Sequence, residues 1–233
     1  MKNSLYSKFS KVSPLLILLF LGSVFTQCSK KNEVFPLNQQ PTSGSDKIST
    51  YDGSWRYDKA HCGVNWETMY FVDNAMLTGK FNNHNVNIEF DEANPSAGKI
   101  EAWVQLSTFN TGEPGRDGPG LCGPNYMGVE YLDTLYTVDS ASDTAWFNST
   151  SIERIGDGYH AKGDLTFRGV TKSQDLYFTY LGQKDYSSPP DGSNIRGGFM
   201  GELSFFCRTD YGVSSTSIAD KVTLTINVNL RKN

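Results

Sequence analysis

The residues best equipped for chemistry are few and scattered. His61, His84 and His160 are the only imidazoles among 233 residues, and none stands in an H-E-x-x-H or comparable spacing that would bring two ligands onto one zinc ion. No serine lies in a G-x-S-x-G elbow, so no nucleophile can be matched with a base along the chain. No catalytic residue and no metal ligand is assigned, and no cofactor is implied. The arginines are more suggestive. Arg116-Asp117, Arg168 and Arg208-Thr209-Asp210 fall near the ends of apolar-patterned segments, where a guanidinium suits a phosphate or a quinone oxygen. A structural ion pair is the competing role for each.

Charge narrows the partners. Lys2, Lys8 and Lys11 precede an apolar run from Pro14 to Phe25, too short to span a bilayer and ordered like a secretory leader. Removing residues 1–27 leaves 18 basic against 25 acidic side chains, a balance of −7. Such a surface lacks what phosphate backbones require, so no nucleic-acid partner is expected. Cys28 follows the apolar run at once and precedes Ser29-Lys30-Lys31-Asn32-Glu33. It resembles the acylated cysteine of a bacterial lipoprotein, although Phe25, Thr26 and Gln27 stand where leucine and small residues are usual. That resemblance implies a lipid anchor on the periplasmic side of a bacterial membrane in the cell envelope, followed by a polar tether over 28–51.

The remaining chain, 52–233, reads as a single all-β domain. Val86, Ile88 and Phe90 alternate with Asn87 and Glu89; Ile100, Ala102 and Val104 alternate with Glu101, Trp103 and Gln105. The same period of two marks Val64 to Trp66, Ala145 to Ser151, Tyr159 to Phe167, Leu176 to Tyr180, Phe199 to Arg208 and Val222 to Leu230. Gly156-Asp157-Gly158 supplies a tight turn between two of these segments. Eight alternating strands with little helix predict an antiparallel up-and-down barrel, since closure removes unpaired edges. The inward faces carry Trp66, Phe81, Ile88, Phe90, Val104, Phe147, Phe167, Phe178, Phe199, Phe205 and Ile226. These side chains either fill the interior or line a tube for one slender ligand, and the pattern alone serves both.

Three motifs occur in order: W-x-x-D-x-x-H from Trp55 to His61, G-D-L-T-x-R-G-V-T-K from Gly163 to Lys172, and G-F-x-G-x-x-x-F-x-x-R-x-D-Y-G from Gly198 to Gly212. In this order they resemble the YceI-like family, over Trp55 to about Leu230. The resemblance implies a lipocalin-like barrel around an elongated apolar cavity, holding a polyisoprenoid or another long-chain lipid and carrying out no reaction. It makes the eleven inward residues above, with Arg116, Arg168 and Arg208, the candidate ligand contacts. His61 corresponds to the family's usual histidine after the opening tryptophan. The segment GPGLCGPNYMG departs from the family pattern, which leaves the cavity mouth and the ligand's identity open. The oligomeric state is left between monomer and homodimer.

Cys62, Cys122 and Cys207 remain after Cys28. In an up-and-down barrel Cys207, at the end of one strand, and Cys122, in a long connection, belong to one rim, whereas Cys62 opens a strand at the other. A Cys122–Cys207 disulfide is therefore expected, with Cys62 as the free thiol.

Overall fold

The computed structural model describes residues 47–71, 74–113, 117, 143–188 and 194–233. The leader, Cys28, Arg116 and Cys122 lie outside the described residues. Within the compact unit Gln39–Asn233, the described residues form a single antiparallel sheet of twelve strands rather than eight. They are β1 (Ile48–Ser49), β2 (Trp55–Tyr57), β3 (Gly63–Tyr70), β4 (Ala75–Phe81), β5 (His84–Phe90), β6 (Lys99–Gln105), β7 (Phe109–Asn110), β8 (Thr144–Ile155), β9 (Gly158–Phe167), β10 (Val170–Asp185), β11 (Ile195–Phe206) and β12 (Lys221–Lys232). A short helix, α1 (Cys207–Tyr211), follows β11 directly.

The extra strands escaped the alternation for physical reasons. β1, β2 and β7 are two or three residues long, too short to display a period. Ile48 of β1 is fully buried and pairs with Phe90, so the sheet begins inside the stretch expected to be tether. In β4 the inward row is interrupted by Gly79, which sits directly opposite Trp66. A Cβ at residue 79 would overlap the Trp66 ring and the Asn110 carbonyl. The missing side chain is the space in which the indole lies.

The ladders run in the order β1-β5-β6-β8-β9-β10-β11-β12-β3-β4-β7. β6 leads through the turn Leu106–Thr108 into β7, which pairs with β4. The last strand of the path is thus the continuation of its third, and the sheet curls back on itself in the manner of a lipocalin-like barrel. Hairpin turns hold the register. Ile155 pairs with Gly158 across a two-residue turn in which Gly156 has φ +55°. Phe167 pairs with Val170 across Arg168 (φ +53°) and Gly169 (φ +74°), the two positive φ values that a right-twisted hairpin turn requires. In β8 the ladder shifts between Ser149 and Ser151. This bulge moves the buried side from odd positions (Ala145, Phe147) to an even one, Ile152.

Because Gly79 faces a packed ring and a backbone carbonyl, Gly79→Ala forces one of them to move. The expected cost is about 1–3 kcal/mol of unfolding free energy, the usual scale of overpacking, read as a lower denaturation midpoint. An unchanged midpoint would show that Trp66 has another place to go.

Candidate functional site

Inside the curl lies a cavity walled almost wholly by carbon. Its volume, taken as the space open to the centre of a water-sized sphere, is about 140 Å³. The walls come from every long strand. Trp66, Phe81, Ile88, Val104, Phe147, Phe167, Phe178, Phe199, Phe205 and Ile226, all named from the alternation, lie on them. Each faces inward because it occupies the buried parity of its strand, as the pattern BiBiBiB of β5 illustrates. Leu77, Phe109, Leu203, Cys207, Val213 and Ile218 are also on the lining. These were missed: Leu77 precedes the glycine interruption, and Val213 and Ile218 stand among serines with no periodic neighbours.

One end of the cavity is stoppered. Phe90, also named from the pattern, is buried but is not on the wall. Its ring centroid lies 4.9 Å from that of Tyr159, 5.2 Å from Tyr180, 5.5 Å from Phe199 and 5.8 Å from Phe178. Edge-to-face packing of this kind fills space efficiently. At the opposite end the cavity is bounded by Thr68, Cys207, Val213 and Ile218, from the end of β3, α1 and the segment after it. Trp66 stacks on Phe109 with centroids 4.2 Å apart. Among the described residues its buried indole N–H has no hydrogen-bond partner, and what it brings to the wall is ring area.

The arginines serve this roof. Arg168 donates from Nη1 to the Tyr211 carbonyl at 2.9 Å. Arg208 donates from Nη1 to the carbonyls of Ser215 and Ile218, and its backbone N–H donates to Asp220 Oδ1 at 2.6 Å. Arg168, in the turn between β9 and β10, thus ties the end of α1 to the sheet, and Arg208 ties α1 to the segment that follows it. Cys207 has no disulfide partner among the described residues; its buried thiol donates to the Ala219 carbonyl at 3.7 Å, and burial pushes its pKa up. Its expected disulfide partner, Cys122, lies outside the described residues. Cys62, at the far end of the sheet, is also free and exchanges contacts with the main chain of Asn229.

The histidines stand apart from one another. His61 bonds Asp58, which also holds Arg196. His84 is 6% exposed, and its Nδ1 lies 2.7 Å from the Tyr57 hydroxyl. Burial, then the charge of Lys59, lowers its pKa, so the neutral ring accepts a hydrogen bond from the Tyr57 hydroxyl. His160 is on the outer face between Glu153 (3.0 Å) and Asp175 (2.7 Å). Its hydrogen bonds to Glu153 and Asp175 raise its pKa. Among the described residues no group of three or more His, Cys, Asp or Glu side chains could hold a metal ion.

The two histidines predict opposite pH effects. His84 binds its proton less readily folded than unfolded, so its contribution is present above about pH 6.5, the unperturbed value, and is lost as pH falls below it. The contribution of His160 is present below about pH 6.5 and is lost as pH rises through its elevated folded value. Denaturation midpoints from pH 5 to 8 should accordingly fall less steeply toward acid in His84→Gln, and fall less toward alkali in His160→Gln. Identical slopes in all three proteins would contradict the assignment.

Comparison with known proteins gives the cavity a context. Residues 55–230 match the family model of the YceI-like domain. A UPF0312 protein of Pectobacterium atrosepticum is 31% identical over 163 residues, covering 68% of this chain and 72% of the relative. Protein YceI of Escherichia coli is 29% identical over 177 residues, covering 73% of this chain and 84% of its own. Among solved structures, that of Burkholderia cenocepacia BcnA aligns with a TM-score of 0.57 at 19% identity, over 75% of this chain and 99% of BcnA. A Campylobacter jejuni YCEI protein aligns with a TM-score of 0.52 at 20% identity, over 69% of this chain and 88% of its own. The last two likenesses concern the fold alone.

Proposed function

Since the chain belongs to the YceI-like family, we propose that its cavity binds one long-chain apolar lipid, a polyisoprenoid, an isoprenoid quinone or a fatty-acid-like chain, and stores or carries it without altering it. The observation that carries this reading is the carbon-walled space between the aromatic stopper and the roof. Each chain methylene buried there contributes ~0.8 kcal/mol, from which the costs of association are subtracted. Affinity must then come from the length of chain in contact with the walls, and a longer lipid leaves its remainder beyond the roof.

The same reading places the protein in a bacterial envelope, on the periplasmic side, held by acylation of Cys28. Residues 29–46 could reach at most about 60–65 Å at ~3.3–3.6 Å each. Even a tether entering at β1 would leave either end of the sheet within reach of the membrane. Cys28→Ser should lose incorporation of labelled palmitate and leave the membrane fraction; continued anchoring would place the attachment elsewhere.

Solvent extraction of the purified protein followed by mass spectrometry tests the binding itself, and a single class of long-chain lipid at near-stoichiometric yield is expected. Val104 lies on the wall of β6, and Val104→Trp should shorten the longest chain recovered. An extract without lipid would favour a barrel that is structural or mediates interactions. Turnover of a prenyl phosphate or quinone, abolished by one substitution, would favour an enzyme.

A further inference from the structure

Where charged side chains face each other across the ladders, they are of opposite sign in most of the sheet. Glu89 faces Lys99 and Lys162 faces Asp175, the kind of pair that supports a sheet. One row breaks this pattern three times over. Lys184 of β10 is opposite Arg196 of β11, Arg196 is opposite Arg231 of β12, and Arg231 is opposite Arg56 of β2. Four cations thus stand side by side on four adjacent strands, about 14 Å from first to last at ~4.7–4.9 Å per strand. Like charges directly opposed destabilise the ladder that carries them, so the fold itself gains nothing from the row.

The row faces outward. Trp55 and Leu230, the chain neighbours of Arg56 and Arg231, are buried, and the alternation turns the arginines to the other face. Arg56 and Lys184 are exposed, while Arg196 and Arg231 are half-buried. Arg196 is held by the carboxylate of Asp58 and donates to the Asn229 side chain at 3.2 Å. Among the described residues it alone of the four has an ion pair. Asp185, next to Lys184, accepts the Ser187 N–H at 2.8 Å instead. The acidic balance of the chain as a whole does not cancel this row, because exposed charges more than ~8–10 Å away are largely screened at physiological salt.

The place of the row in the fold supplies a second observation. Arg196 precedes Gly197, against which Ile48 of β1 packs, and Ile48 pairs with Phe90 of the stopper. The row therefore lies at the stoppered end, beside the point where the described chain begins at Lys47.

Resting on the reading of the chain as an envelope protein tethered through its N-terminal segment, we propose that the row of Lys184, Arg196, Arg231 and Arg56 docks on the anionic headgroups of a phospholipid bilayer. Guanidinium groups suit the phosphate oxygens. A soluble polyanion offers the same phosphates, but the entry of the tether beside the row favours the bilayer. The tether alone leaves either end of the sheet within reach of the membrane, and the row selects the stoppered end rather than the roof.

The test uses the full chain with Cys28→Ser in every sample, which takes any acyl anchor out of the measurement. Flotation with vesicles of phosphatidylcholine, alone or mixed with phosphatidylglycerol, is read at low and high salt. Binding should rise with phosphatidylglycerol and fall with salt. Arg56→Ala with Arg231→Ala should weaken the phosphatidylglycerol-dependent binding about fivefold for each charge removed, the scale of ~1 kcal/mol per basic residue near an anionic surface. Arg56→Lys with Arg231→Lys should retain it. Lys172→Ala with Lys221→Ala removes two exposed cations near the roof and should change nothing. Binding indifferent to phosphatidylglycerol, or equal losses in the two alanine pairs, overturns the proposal. Polyphosphate that binds through the same two arginines, with no response to phosphatidylglycerol, assigns the row to a soluble polyanion and overturns the bilayer as its partner. Denaturation midpoints separate docking from structure: the arginine-to-alanine pair should be as stable as the parent or more so, and a lower midpoint would give the row a structural role instead. None of these readouts depends on what the cavity holds, and labelling of Cys28 by palmitate decides the anchor separately.

Discussion

A sheet whose side chains alternate with a period of two has no tolerance for slip. A shift of one residue in any ladder would carry that strand's aromatic row from the cavity to solvent and bring its polar row inside. Every feature that keeps the parity therefore matters out of proportion to its size. The two-residue turns at Gly156-Asp157 and Arg168-Gly169 hold β8, β9 and β10 in register. The bulge after Ser149 does the reverse, changing the parity once so that Ile152 is buried where regular pairing would have exposed it. Register has consequences well beyond the ladder in which it is set.

The same parity explains how an interior so rich in aromatics remains hollow. The large rings are not spread evenly. Phe90, Tyr159, Phe178, Tyr180 and Phe199 converge on one end, where Phe90 packs edge to face on Tyr159, Phe178 and Phe199 and Tyr159 stacks on Phe178, while Trp66 is drawn flat against the wall by Phe109 and by the gap at Gly79. Between them Val64, Val86, Val104, Ala102 and Ala145 are small, and the walls stand apart. A barrel of this width filled by its own side chains would need bulk at those positions. The ends differ accordingly: one is stoppered by rings, the other roofed by a short helix and a segment held through main-chain carbonyls by two arginines.

Much of this was legible in the alternation. The eight long segments, the inward rows and the tight turns follow from residue type and spacing, and all but one of the aliphatic and aromatic residues named for the lining stand on the cavity wall. What escaped notice depends on tertiary contact. Strands of two or three residues carry no period, and Gly79 looks like a break until Trp66 is seen above it. Phe90 has the right parity, yet its neighbours make it part of the stopper. Cys207 and Arg208 appeared to extend β11, but they open a helix. The arginines near strand ends suited an anionic headgroup equally well, and only the roof carbonyls show what Arg168 and Arg208 hold.

If burial along the wall is what binds the ligand, affinity must rise with chain length until the cavity is full. Competition binding with a homologous series of primary alcohols, from eight to sixteen carbons, measures this directly. The account predicts a gain of about 0.8 kcal/mol, roughly fourfold in affinity, for each added methylene. The gain should flatten near the length that 140 Å³ accommodates. Affinities that do not change across the series, or that follow the head group rather than the chain, would contradict it.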